Sequence, residues 1–248
     1  HVGQREDELH RDHADERAIG IVDESGHPKK GNRTACVQRQ YCGNTGKIDN
    51  CVMSVHLSYA SYDGTFRTMI DSELFLPEKS WADAARRAEA QVPESVVYRP
   101  KYQIALELLD RALESGVHFG WITADEWYAQ KPAFLSGLEE RGSRFVLEIP
   151  RNLTGWLHEP HDAEDDRGQV QTLCRYSRAM MRQPFKRYLI KQTDKGPMVW
   201  EAKAAAFWMP RDGRVVGPYW LLVARDVLNP NEIKYFLSNA ASGVPIES

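Results

Sequence analysis

Three apolar runs joined by turns, then a long amphipathic helix, then another apolar run, constrain most of what this chain can fold into. The runs cover 18–23, 34–41 and 51–59. Gly26, His27, Pro28, Gly31 and Asn32 mark the first turn, and Gly43 to Gly46 the second. Connections this short read as an antiparallel meander. A helical stretch at 81–91 follows, with Ser80 as its N-cap, Asp83 as a weaker capping acid and Pro93 closing it. The long helix covers 101–115, with Pro100 at its start and Gly116 at its end. Tyr102, Ala105, Leu106, Leu109 and Leu113 form its apolar stripe. A buried strand at 119–125, a helix at 132–141 ended by Gly142, and a strand at 144–149 complete this part. A strand that follows a helix cannot pair through a tight turn, so residues 18–150 predict an α/β mixed sheet with flanking helices.

The remainder has a different texture. Residues 1–17 are a polar lead-in. Beyond an acidic loop around Pro160, a basic helix at 172–181 leads into strand-like stretches at 185–191, 198–208, 215–225 and 233–238. Residues 151–248 therefore read as a β-rich unit with one basic helix. The chain has 248 residues, 42% of them hydrophobic, which suits a real core in one large or two modest domains. It has no apolar run of about 18 residues, so no membrane helix is expected. No signal peptide is expected either, because the opening residues are charged. The four cysteines form no C-x-x-C pair, which predicts reduced thiols in the cytoplasm. The pairs His10/His13 and His158/His161 lack further metal ligands at fixed spacing and read as incidental.

The net charge of −3 hides local asymmetry. Residues 25–48 hold no acid but include Lys29, Lys30, Arg33, Arg39 and Lys47. Residues 175–195 carry Arg175, Arg178, Arg182, Lys186, Arg187, Lys191 and Lys195 against Asp194 alone. Such runs on a near-neutral chain point to a local anionic partner or to a solvated face.

Asp23 and Asp125 each close an apolar run, and each precedes a glutamate, Glu24 and Glu126. A charge at the end of a buried strand must be solvated, paired or bound to metal. Two such acids on neighbouring strands suit a divalent cation with oxygen ligands, Mg²⁺ (or Mn²⁺) above all. The alternative is two strand ends that simply face water.

The stretches 21–31 (Ile-Val-Asp-Glu-Ser-Gly-His-Pro-Lys-Lys-Gly), 39–43 (Arg-Gln-Tyr-Cys-Gly) and 46–51 (Gly-Lys-Ile-Asp-Asn-Cys) resemble the opening of a DDE transposase of bacterial insertion sequences. Residues 121–128 (Trp-Ile-Thr-Ala-Asp-Glu-Trp-Tyr) resemble the segment with that family's second catalytic aspartate. Later stretches at 195–197, 221–225 and 234–240 extend the likeness to nearly the whole chain. The resemblance implies an RNase H-like catalytic core interrupted by a β-rich insertion. It implies divalent-metal-dependent DNA strand cleavage and strand transfer at insertion-sequence ends. Asp23 and Asp125 match the first and second metal-holding acids. Lys29, Lys30 and Arg33 would track phosphates near the metal. Arg175, Arg178 and Arg182 share one helix face and, with Lys186 and Arg187, would hold flanking or target DNA. Trp127 and Tyr128 are candidates for stacking on bases, whereas Trp121 reads as core.

The resemblance also implies a third acid, a glutamate on a helix beyond the insertion. No residue matches it, and Glu247 does not fit the motif. Together with a first residue that is not Met, this predicts an internal fragment, inactive alone. Expected partners are transposon-end and target DNA, with homo-oligomers on paired ends, in a bacterial cytoplasm at the nucleoid. Two rival readings are a non-catalytic DNA-binding remnant and another RNase H-like nuclease, acting on RNA–DNA hybrids.

Overall fold

The computed structural model describes residues 15–161, 171–173, 175, 184–194 and 196–243. The chain divides into two compact units, His1–Ile122 and Thr123–Ser248. The architecture is mixed α and β, as the element order predicted.

The first unit is built around β3 (Lys47–Ala60). One edge of β3 pairs antiparallel with β1 (Ile19–Pro28). The other edge pairs with β2 (Gln38–Cys42) over residues 47–51 and with β4 (Arg67–Leu74) over residues 54–60. The expected meander is therefore antiparallel but reordered, because β1 pairs with the third strand and not the second. Packing explains the order. β1 and β3 carry the buried Val22, Val55 and Leu57, whereas β2 is short and half-exposed and belongs at an edge. β1 also runs on past Asp23 to Pro28, so Asp23 sits inside the strand rather than at its end. Its partner β3 is long enough to pair with the extra residues.

The 81–91 stretch is a 3-10 turn at Lys79–Trp81 and then α1 (Ala84–Glu89). Asp83, not Ser80, is the N-cap, accepting from Ala85 N–H at 2.8 Å. Ser80 is diverted because its hydroxyl donates to Gln38 Oε1. The buried Trp81 donates from Nε1 to the Val37 carbonyl. Helix α2 (Lys101–Glu114) packs on β3 and β4 through a face that includes Ala105, Leu108, Leu109 and Ala112. Tyr102 and Leu113, expected in that stripe, lie half-buried at its borders. Arg99 and Arg111 clamp α2 to β4: Arg111 reaches Asp71 at 2.8 Å and Glu73 at 3.2 Å, and Arg99 pairs with Glu73 and Glu107.

β5 (Trp121–Ala124) begins beside β1. Gly120 N–H donates to the Ala18 carbonyl at 2.7 Å, and Ile122 lies against Gly20, so the two strands run in the same direction. A methyl group on Gly120 would press on the Arg17 backbone at 2.8 Å, which is why a glycine stands there.

The second unit holds α3 (Glu126–Ala129), α4 (Pro132–Glu140) and a five-stranded sheet. Its strands are β6 (Val146–Ile149), β9 (Lys186–Thr193), β10 (Gly196–Arg211), β11 (Arg214–Asp226) and β12 (Ile233–Ser238), in the order β6-β12-β11-β10-β9. Asp212 and Gly213, both at positive φ, form the two-residue turn joining β10 to β11. β7 (Thr154–Gly155) and β8 (Gln171–Thr172) make a separate small pair. Thr172, expected to open the basic helix, is thus in a strand. Leu173 and Arg175 are helical, while 174 and 176–181 lie outside the described residues. Arg211 at 2.7 Å and the Tyr219 hydroxyl both hold Glu139 of α4, fastening that helix to the long hairpin. Among the described residues no helix is long and apolar enough to cross a membrane.

Candidate active site

Asp23 and Glu24 are sequence neighbours on a strand, so they face opposite ways. Glu24 turns toward α2, where Lys101 Nζ holds it at 2.7 Å. Asp23 is exposed on the other face, directly across from His56 of β3. Only the Glu24 N–H, at 2.7 Å on Oδ1, is described as a partner of its carboxylate. His56 completes a polar patch, with Nε2 3.0 Å from Ser54 Oγ. Burial holds the His56 imidazole below its ordinary range, while the Asp23 charge pulls it up and His27 pulls it down. The sequence offered no signal for His56, because only the β1–β3 register brings it opposite Asp23.

Asp125 follows β5 directly and is the N-cap of α3. Its Oδ1 accepts from the N–H groups of Trp127 at 2.9 Å and Tyr128 at 3.4 Å. The capping bonds fix the side chain and leave Oδ2 with no described partner. Among the described residues each aspartate therefore has one carboxylate oxygen with no partner, a hard donor of the kind Mg²⁺ and Mn²⁺ take. Among the described residues, no group of three or more His, Cys, Asp or Glu could hold a metal. A divalent cation here would have to complete its shell from substrate oxygens and water. Tyr128 is fully buried and cannot stack on a base, whereas Trp127 is half-buried with Lys131 Nζ 4.6 Å from its ring centre.

The basic residues fall in separate places. Lys29 and Lys30 follow β1 and are exposed. Arg33 is exposed and loosely paired with Glu89 at 3.4 Å, a contact worth little. In the second unit, Arg175 and Lys186 are exposed. Arg187 is exposed but bound to Glu201 at 2.9 Å, and Arg225 holds the same carboxylate at 2.6 Å. Arg187 and Arg225 keep the Glu201 carboxyl below its ordinary range. Arg178 and Arg182 lie outside the described residues, as do His10, His13 and Cys174. Cys36, Cys42 and Cys51 are free and buried.

An acid inside a strand and another capping the helix after a parallel neighbour fit a family-level match. The family model described as DDE superfamily endonuclease matches residues 7–202, and the chain belongs to that family. The chain is also 33% identical, over 136 residues, to the probable transposase for insertion sequence element IS701 of Microchaete diplosiphon. That alignment covers 54% of this chain and 32% of the relative, so the chain spans about a third of the curated protein it matches. Both findings bear out the likeness to DDE transposases of insertion sequences.

Proposed function

We propose that Asp23 and Asp125 jointly hold a divalent cation, Mg²⁺ or Mn²⁺, for cleavage and strand transfer at the ends of an insertion sequence. The observation that carries this is the chemistry of the two acids: Asp23 is exposed on β1, Asp125 caps α3 directly after β5, and each has a carboxylate oxygen with no partner among the described residues. An RNase H-like core is supported by the arrangement of the elements: antiparallel strands, a covering helix, then a strand returning beside the first.

The bound cation would supply charge neutralisation at a phosphate and a more acidic bound water. The protein's own residues do the rest. The two main-chain donors on Asp125 hold its Oδ1 in place. Lys101 neutralises Glu24, so Asp23 is the acid of that pair left for a cation. Lys29, Lys30 and Arg33 steady the phosphates near Asp23. Arg175, Arg178, Arg182, Lys186 and Arg187 serve flanking or target DNA, and such contacts position a duplex without reading it.

The test is cleavage of an insertion-end duplex by a transposase polypeptide that carries this segment. Cleavage should require Mg²⁺ or Mn²⁺. Asp23→Asn and Asp125→Asn should each lower it by more than about 100-fold, beyond the cost of losing a mere supporting residue. Undiminished cleavage in either variant refutes the assignment.

A further inference from the structure

Two large apolar side chains stand in water at the edge of the first unit. Tyr41 is 64% exposed and Ile48 59%, and they face each other across β2 and β3. The next cross-strand pair on the same face is Arg39 with Asn50. Alternation puts Gln40 and Cys42 on the opposite side, and Cys42 is buried there. Arg39, Lys29 and Lys30 have no carboxylate partner among the described residues. The backbone N–H of Lys29 is tied to the Asn50 carbonyl at 2.8 Å, which brings that lysine to the root of the ribbon. From Ser25 to Ile48 there is no acid, and the ribbon's one acid, Asp49, lies on the opposite face by alternation, paired with Lys47 at 3.8 Å.

We propose that this face of the β2–β3 ribbon enters the major groove of the insertion-sequence end and reads its bases, a role that rests on the function proposed above. The side chains have the chemistry for it. Arginine donates a fork to guanine, asparagine matches adenine, and apolar groups meet the thymine methyl. The shape also fits, since the major groove admits a two-stranded β-ribbon. Lys29 and Lys30 flank the ribbon where phosphates would run.

The ribbon shares a sheet face with Asp23. In β3, residues 48, 50, 52, 54 and 56 project to one side, and His56 is the residue opposite Asp23. No register shift interrupts β3 against β1 or β2 over this span. The six residues of strand from Asn50 to His56 cover roughly 20 Å. That is about six base pairs at the spacing of B-DNA. The bases read by Arg39 and Asn50 therefore lie within one helical turn of the cleaved phosphate.

The test is binding of the 248-residue chain to a duplex bearing the terminal 30 or so base pairs of its insertion sequence, against a shuffled duplex, by fluorescence anisotropy. Arg39→Ala and the double variant Tyr41→Ala/Ile48→Ala should weaken binding to the end by roughly 5- to 100-fold while leaving the shuffled duplex unaffected. Arg39→Ala should also become indifferent to base changes about six pairs from the cleavage point. All these residues are exposed, so melting temperatures should match the wild type. Lys29→Ala/Lys30→Ala should weaken both duplexes alike and flatten the salt dependence. Equal losses on both duplexes for Arg39→Ala, or none, overturn base reading. A change in oligomeric state without a change in DNA binding would make the ribbon a protein-docking surface and overturn it too. A wild-type chain that binds neither duplex refutes the DNA reading itself, and the ribbon assignment falls with it.

Discussion

Asp125 does two jobs that substitution can separate. It caps α3 through Oδ1, and under the proposed function it holds metal through Oδ2. Asparagine caps a helix about as well as aspartate does. Asp125→Asn should therefore melt close to the wild type, while Asp125→Ala should lose about 1 kcal/mol from the missing cap. Thermal melts of the two variants check this, and equal destabilisation would mean that the cap is not made. Asp63 gives a cleaner electrostatic reading. Its carboxylate accepts from the Ser61 hydroxyl and from the Thr65 hydroxyl and N–H, which lowers its pKa from 3.8 to about 2. The folded-state pKa lies below the unfolded one, so the stabilisation is complete above pH 3.8 and disappears as the pH falls through about 2. An NMR titration of Asp63 should have its midpoint at about 2, and the deficit of Asp63→Asn should shrink over that same window. At this scale the sequence was partly legible. An acid after an apolar run marked both Asp23 and Asp125. The run said nothing of Lys101 neutralising Glu24 or of His56 facing Asp23, because both depend on partners dozens of residues away.

Among the elements, long amphipathic helices and even strand patterns were the easiest to read. Helix α2 and strands β9 to β12 stand close to where periodicity puts them, since each has a face that must be buried. β4 left no such trace. Its Asp71 is buried and its Glu73 half-buried, which breaks an apolar alternation, and both are made tolerable by Arg111 and Arg99. Strand order was hidden for the same reason. β6 pairs with β12 across more than eighty residues, and β1 skips β2, choices made by burial and not by turns. Two substitutions probe these elements. Leu109→Ala, at a buried position on α2, should cost about 2–5 kcal/mol in urea unfolding. Gly120→Ala would drive a methyl into the Arg17 backbone and should cost about 1–3 kcal/mol. A neutral Gly120→Ala would argue against the close approach of β5 to the chain entering β1.

For the whole molecule, family membership and chemistry come from different sources. The family match and the IS701 relative say what kind of chain this is. The metal shared by Asp23 and Asp125 is the proposal made above, and it rests on two carboxylates that each have an oxygen with no partner among the described residues. Under the proposed function, with lysines and arginines in separate clusters, DNA affinity should fall steeply with salt, by close to one unit of log K per log salt for each phosphate neutralised. The most direct test of the shared metal is a Mn²⁺ titration of the isotopically labelled chain, read as paramagnetic broadening of its amide resonances. Residues 22–24 and 124–127 should broaden together at the same metal concentration, and both sets should recover in Asp23→Asn and again in Asp125→Asn. Broadening confined to one aspartate, or surviving both substitutions, would contradict a site that the two acids share.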